Sequence, residues 1–157
     1  MDHDFDVDED READVLLQAL ESEAGAANVY RMALECTRNA ELREALDRNI
    51  AETEGRRRSL LHLCYEAGLD PTRETPGRAR MREVLRSLTR AMHLALREGP
   101  GEVAEIVAAR CVVHAETSGL NWELVREVAR MMRKRRRHAT VPGWGRHPDA
   151  RAVSGTL

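Results

Sequence analysis

An all-α domain, specifically an antiparallel four-helix bundle, is the fold class this sequence predicts, and three observations predict it. Ala, Leu, Arg and Glu dominate a chain of 157 residues in which only 3% are aromatic, so the core is aliphatic and the commonest residues are good helix formers. Apolar residues recur at steps of three and four over long stretches, the spacing of one helix face. Gly and Pro are gathered between those stretches, at GLDPTRETPG (68–77) and GPG (99–101), where they end one helix and allow another to start.

The first helix is expected over residues 10–38, with Leu16, Leu20, Glu23, Ala27, Tyr30 and Leu34 on its inner face and Asn39 as its stop. The second runs from about Ala40 to Ala67, with Leu42, Ala45, Leu46, Asn49, Thr53, Leu60 and Cys64 inside and Gly68 at its end. So short a link makes these two antiparallel neighbours. Residues 68–77 then form the one long crossover, between helices 2 and 3. The third helix, 78–98, buries Met81, Val84, Leu85, Leu88, Met92 and Ala95, and the fourth starts near Glu102 and continues unbroken to the RKRRR cluster at 133–137. The domain is therefore 10–137. Residues 1–9 are predicted to be an acidic disordered tail and 138–157 a mobile C-terminal one, because neither has enough periodic apolar surface to offset the entropy of ordering.

The 42% hydrophobic and 33% charged content is that of a soluble globular domain. No apolar run approaches bilayer length, and the start MDHDFDVDEDRE is acidic where a secretory signal is basic and then apolar, so a cytoplasmic protein without a membrane partner is expected. Cys36, Cys64 and Cys111 lack CxxC spacing and read as buried small hydrophobes. The basic runs at 56–58 and 133–137 lack aromatic interleaving, and the formal net charge is −2, which argues against nucleic acid as a partner. The second run suits a helix C-terminus.

Candidate chemistry lies in polar groups on inner faces. CVVHAETSGLNWEL (111–124) places Cys111, His114, Ser118 and Asn121 on one helical stripe with Val103, Val107, Val125 and Val128, while Glu116 falls on the opposite, solvent side. Glu23 points inward beside Ala24, Gly25 and Ala26, either as a ligand or as the partner of an arginine. Glu52 either turns inward or pairs with Arg56, four residues on. His114 is either a hydrogen-bonded core imidazole or a metal ligand.

Glu23 and Tyr30 at E-x6-Y, the run ELREALDRNIAETEGRRRSLLHLCYEAGLDP (41–71) and VVHAE in the fourth helix resemble the ferritin-like superfamily, and within it the YciE/YciF-like bacterial branch. The resemblance covers roughly residues 12–130. It implies a ferritin-like bundle with a crossover between helices 2 and 3, and a centre of iron or manganese held by inward carboxylates and histidines. Glu23, Glu52 and His114 are the metal ligands it assigns. Gly55 stands where the Glu-x-x-His histidine belongs, and the third helix offers no ligand, so the ligand set is incomplete and the expected site is reduced or vestigial, holding at most one ion per chain. Metal-dependent redox or stress-related work and homo-oligomer formation are further implications, with catalytic residues unassigned. The alternative is a non-enzymatic helical scaffold or interaction module that holds no metal.

Overall fold

The computed structural model describes residues 3–99, 101–119 and 121–139, and these form five helices with no strand among the described residues: α1 (His3–Cys36), α2 (Ala40–Ala67), α3 (Pro76–Leu96), α4 (Glu102–Thr117) and α5 (Trp122–Ala139). The described residues are all-α, as the periodicity indicates. None of these helices is long and apolar enough to cross a membrane.

Beyond shifts of about two residues at other helix ends, the helices depart from the sequence reading in two places. First, α1 reaches back to His3, so residues 3–9 are helical where a disordered tail is expected. Acidic side chains are favourable in the first turns of a helix, and this end is anchored, since Glu9 and Glu12 both pair with Arg135 of α5. Second, the single fourth helix is divided into α4 and α5. Ser118 and Thr117 turn their hydroxyls back onto the His114 carbonyl, at 2.7 and 3.1 Å. The Asn121 side chain then accepts from the backbone N–H of Glu123 and of Leu124, capping α5. Ser118 and Asn121 are thus helix punctuation and not core polar groups. His138 lies in α5, which runs to Ala139, while the remainder of the proposed C-terminal tail, 140–157, lies outside the described residues.

α1 is the axis. α2, α3, α4 and α5 all pack on it, α4 also packs on α3 and α5 on α2, whereas α2 and α3 do not meet. Two apolar clusters result. One joins Val29, Tyr30, Ala33 and Cys36 of α1 to Leu46, to Met81, Leu85 and Met92 of α3, and to Ala104, Ala108, Cys111 and Ala115 of α4. The other joins Ala13, Leu16, Leu17 and Leu20 to Leu60, Cys64, Leu69, Val125, Val128 and Ala129. All three cysteines are free and buried. Of the inner residues expected in the first three helices, Leu42 in the first turn of α2 is the exception, at 47% exposed.

Local chemistry fixes the joints. Asn39 is the N-cap of α2, its side chain accepting from Leu42 N–H at 3.1 Å. Gly68 ends α2 in the left-handed region with φ 72°, and the Leu69 N–H returns to the Cys64 carbonyl, the pairing that satisfies terminal carbonyls. Arg136 closes the same end on the Tyr65 and Glu66 carbonyls, and Arg133 pairs with Glu66 at 2.7 Å, so part of the basic cluster fastens α5 to α2. At the start of α3, Thr75 caps the helix, Pro76 takes the first turn, where its missing N–H is no loss, and Asp14 of α1 accepts from Gly77 N–H at 2.9 Å.

Gly25 sets how closely α1 and α3 approach. A Cβ there falls 2.9 Å from the Leu85 Cβ and 2.3 Å from its Cδ1, and a Cβ cannot rotate away. Gly25→Ala is therefore expected to destabilise by about 1 kcal/mol net, overpacking outweighing the gain in helix propensity. Chemical denaturation checks it: a variant more stable than the parent shows that the two helices can part without loss.

Candidate functional site: a polar cleft crossed by an ion pair

Where the two apolar clusters meet, α1, α2, α4 and the start of α5 leave a cleft of about 400 Å³, lined among others by Glu23, Tyr30, Asn49, Glu52, Arg56 and Glu116. Its position follows from sequence: α1 changes from Leu20 through Ser22 and Glu23 to Ala26, and α2 from Leu46 through Thr53 and Arg56 to Leu60, so polar residues of both helices fall at one level.

Arg56 dominates this level. Its Nε donates to both oxygens of Glu23, each at 3.1 Å, and its Nη2 donates to the Thr53 hydroxyl at 2.9 Å. Thr53 is fully buried, and the Glu23 side chain is 13% exposed against 40% for Arg56. Burial raises the Glu23 carboxyl above its ordinary pKa, and the charge and hydrogen bonds of Arg56 offset only part of that. Tyr30 is pushed up as well, by burial first, then by the negative charge of Glu116, with Glu23 and Glu52 adding to it and Arg56 opposing. Asn49 reaches Glu116 across the cleft, Nδ2 donating to Oε1 at 3.4 Å.

The three predicted ligands are not brought together. Glu23 is held by Arg56, and Glu52 has a side chain 69% exposed, its nearest cation Arg56 at 3.9 Å. His114 is exposed. The buried line of α4 is Ala104, Ala108, Cys111 and Ala115, rotated by about 70° at 100° per residue from the stripe expected through Cys111, His114 and Ser118. His114 and Glu116 occupy opposite flanks of that line, and the cleft borders the flank of Glu116. Sequence reading thus missed Glu116. The signal was present in the alanines at 104, 108 and 115, small residues spaced for close helix contact but outranked by the bulkier valines.

As a metal site this arrangement does not fit. Among the described residues no group of three or more His, Cys, Asp or Glu is placed to hold an ion, and Glu23, the carboxylate that α1 turns into the cleft, already carries a guanidinium on both oxygens. A fixed cation at the point where ligands should converge repels a second one. What the cleft does chemically is neutralise a half-buried acid and give Thr53 a donor. Comparison of the chain with family models, with curated proteins and with solved structures finds no match.

Proposed function

We propose that the chain is a non-enzymatic helical interaction module, built on a ferritin-like plan in which α4 and α5 together take the place of the fourth helix and residues 68–75 form the crossover. In this reading the polar cleft is structural and the working surface lies on α4.

The outer face of α4 carries the proposal. Val103, Ile106 and Val113 are 65%, 49% and 59% exposed and fall on one stripe, opposite the buried alanines. A helix apolar on both sides is ordinarily covered on both, and adjoining aliphatic side chains left in water mark an association surface. A second copy of the chain is the partner proposed, giving a homo-oligomer through this face.

Sedimentation of the full chain tests it. The parent is expected to associate and the Ile106→Glu/Val113→Glu variant to be monomeric with unchanged helicity. A monomeric parent overturns the reading. Elemental analysis of untagged protein addresses the cleft separately: one tightly held iron or manganese ion per chain would overturn the structural reading of the cleft.

A further inference from the structure

The groove between α2 and α5, on the outer side of Arg56, points beyond that reading. It measures about 870 Å³, within the range of roughly 300–1,000 Å³ usual for small-molecule clefts. Its floor is flat for an identifiable reason. α2 presents Gly55 and Ser59 there, and the Ser59 hydroxyl is folded back onto the Gly55 carbonyl at 3.2 Å.

Gly55 is the informative residue. Glycine is a poor choice inside a helix of 28 residues, and it is kept where backbone conformation or close packing requires it. Neither requirement is met among the described residues: Gly55 does not have a positive φ, and a Cβ added to it meets only the flexible end of Arg58, at 3.9 Å. The space above Gly55 is open to something from outside.

The walls define what that is. Trp122 and Leu63 give a half-buried apolar side, and Arg126 stands one turn after Trp122 on the same side of α5. Arg126 has no hydrogen-bond or ion-pair partner among the described residues, whereas Arg56 is held by Glu23. At the rim His62 lies 3.6 Å from Glu66, and Arg56 is shared between Glu23 and the more distant Glu52 at 3.9 Å, so Arg126 is the cation of this lining that is left to meet a ligand. A guanidinium beside an indole suits an anionic group attached to a flat apolar body, the group on the cation and the body against the ring and the glycine floor.

We propose that the α2/α5 groove binds a small aromatic anion, a carboxylate or sulfonate, with its charge on Arg126 and its ring system between Trp122 and Gly55. The probe is 8-anilinonaphthalene-1-sulfonate, titrated into the full chain by fluorescence, with N-phenyl-1-naphthylamine as its uncharged counterpart. Saturable binding of one sulfonate per chain is expected, at least tenfold tighter than the uncharged probe, weakened tenfold or more by Arg126→Ala and abolished by Gly55→Leu. Leucine favours the helix, so Gly55→Leu should keep the parent circular dichroism, and Arg126→Ala supports the test independently because that side chain is exposed. Ile106→Glu should leave the titration unchanged, which separates this site from the α4 face. The proposal is overturned if both probes bind alike, if neither groove variant changes the titration, or if Ile106→Glu removes it.

Discussion

Replacing Arg78 with alanine is expected to destabilise the protein by about 3 kcal/mol, the low end of the cost of removing one partner from a buried ion pair. Arg78 joins three parts of the fold. Its Nε donates to Glu21 of α1 at 2.8 Å, and its Nη1 donates to the carbonyls of Pro71 and Arg73, in the segment between α2 and α3. Arg78 and Glu21 have side chains only 14% and 15% exposed. Burial pushes the Glu21 carboxyl up, but hydrogen bonds and charge from Arg82 and Arg78 outweigh it, so its pKa lies below the ordinary value of 4.5. For a depressed acid the folded state binds the proton less readily than the unfolded chain. Its stabilisation is therefore complete above about pH 4.5 and is lost as pH falls through the depressed value. Urea titration of Arg78→Ala across that window should show both the loss at neutral pH and a weaker acid dependence than the parent. Parent-like stability at neutral pH would show that Arg82, which holds Glu21 through two further hydrogen bonds, suffices alone.

Arg56→Ala comes next, at about 2 kcal/mol near neutral pH, below the usual 3–5 for a fully buried pair because the Arg56 side chain is 40% exposed. The pH dependence has the opposite sign. Glu23 has a raised pKa with Arg56 present, and losing the guanidinium raises it further. The folded state then binds the proton more readily than the unfolded one, so this residue's contribution worsens as pH rises from about 4.5 through the raised value, and the variant falls further below the parent. Adding Glu23→Gln to Arg56→Ala should recover most of the loss, since a neutral amide needs no counter-charge. Denaturation of the two single variants and the double one at about pH 4 and pH 8 completes the cycle. An equal deficit at both pH values, with no rescue, would assign Arg56 a packing role only.

Much of the fold was legible because the large aliphatic residues, Leu and Met, carry the helical period in α1, α2 and α3. Leu16, Leu20, Leu46, Leu60, Met81, Leu85 and Met92 are expected inside and are buried, and Gly68 and Pro76 mark joints that the structure keeps. The site was less legible, for two reasons. In α4 the packed line is made of alanines, which scarcely differ from surface alanines by hydrophobicity, so the valines set the apparent face and carried His114 inward with them. Ser118 and Asn121 were then read as core because the stretch 102–137 was treated as one helix, although Ser118, Gly119 and Asn121 within four residues are stop and start signals. Arg56 was legible as a partner of Glu52. Its reach to Glu23, which is 33 residues away in sequence, depends on the relative height of α1 and α2, and a single helix's periodicity carries no information about height.

The belt formed by Ser22, Glu23, Thr53 and Arg56 divides the apolar interior into two clusters, and this bears on how the molecule fluctuates. α3 and α4 depend on one cluster and α5 on the other, and of the described helices only α1 and α2 enter both. Such a molecule breathes as two cooperative units hinged on a shared spine. α5 with the C-terminal half of α2 can open while α3 and α4 stay closed, and the reverse opening leaves α5 in place, so amide protection should fall into two classes whose boundary crosses α1 near Glu23.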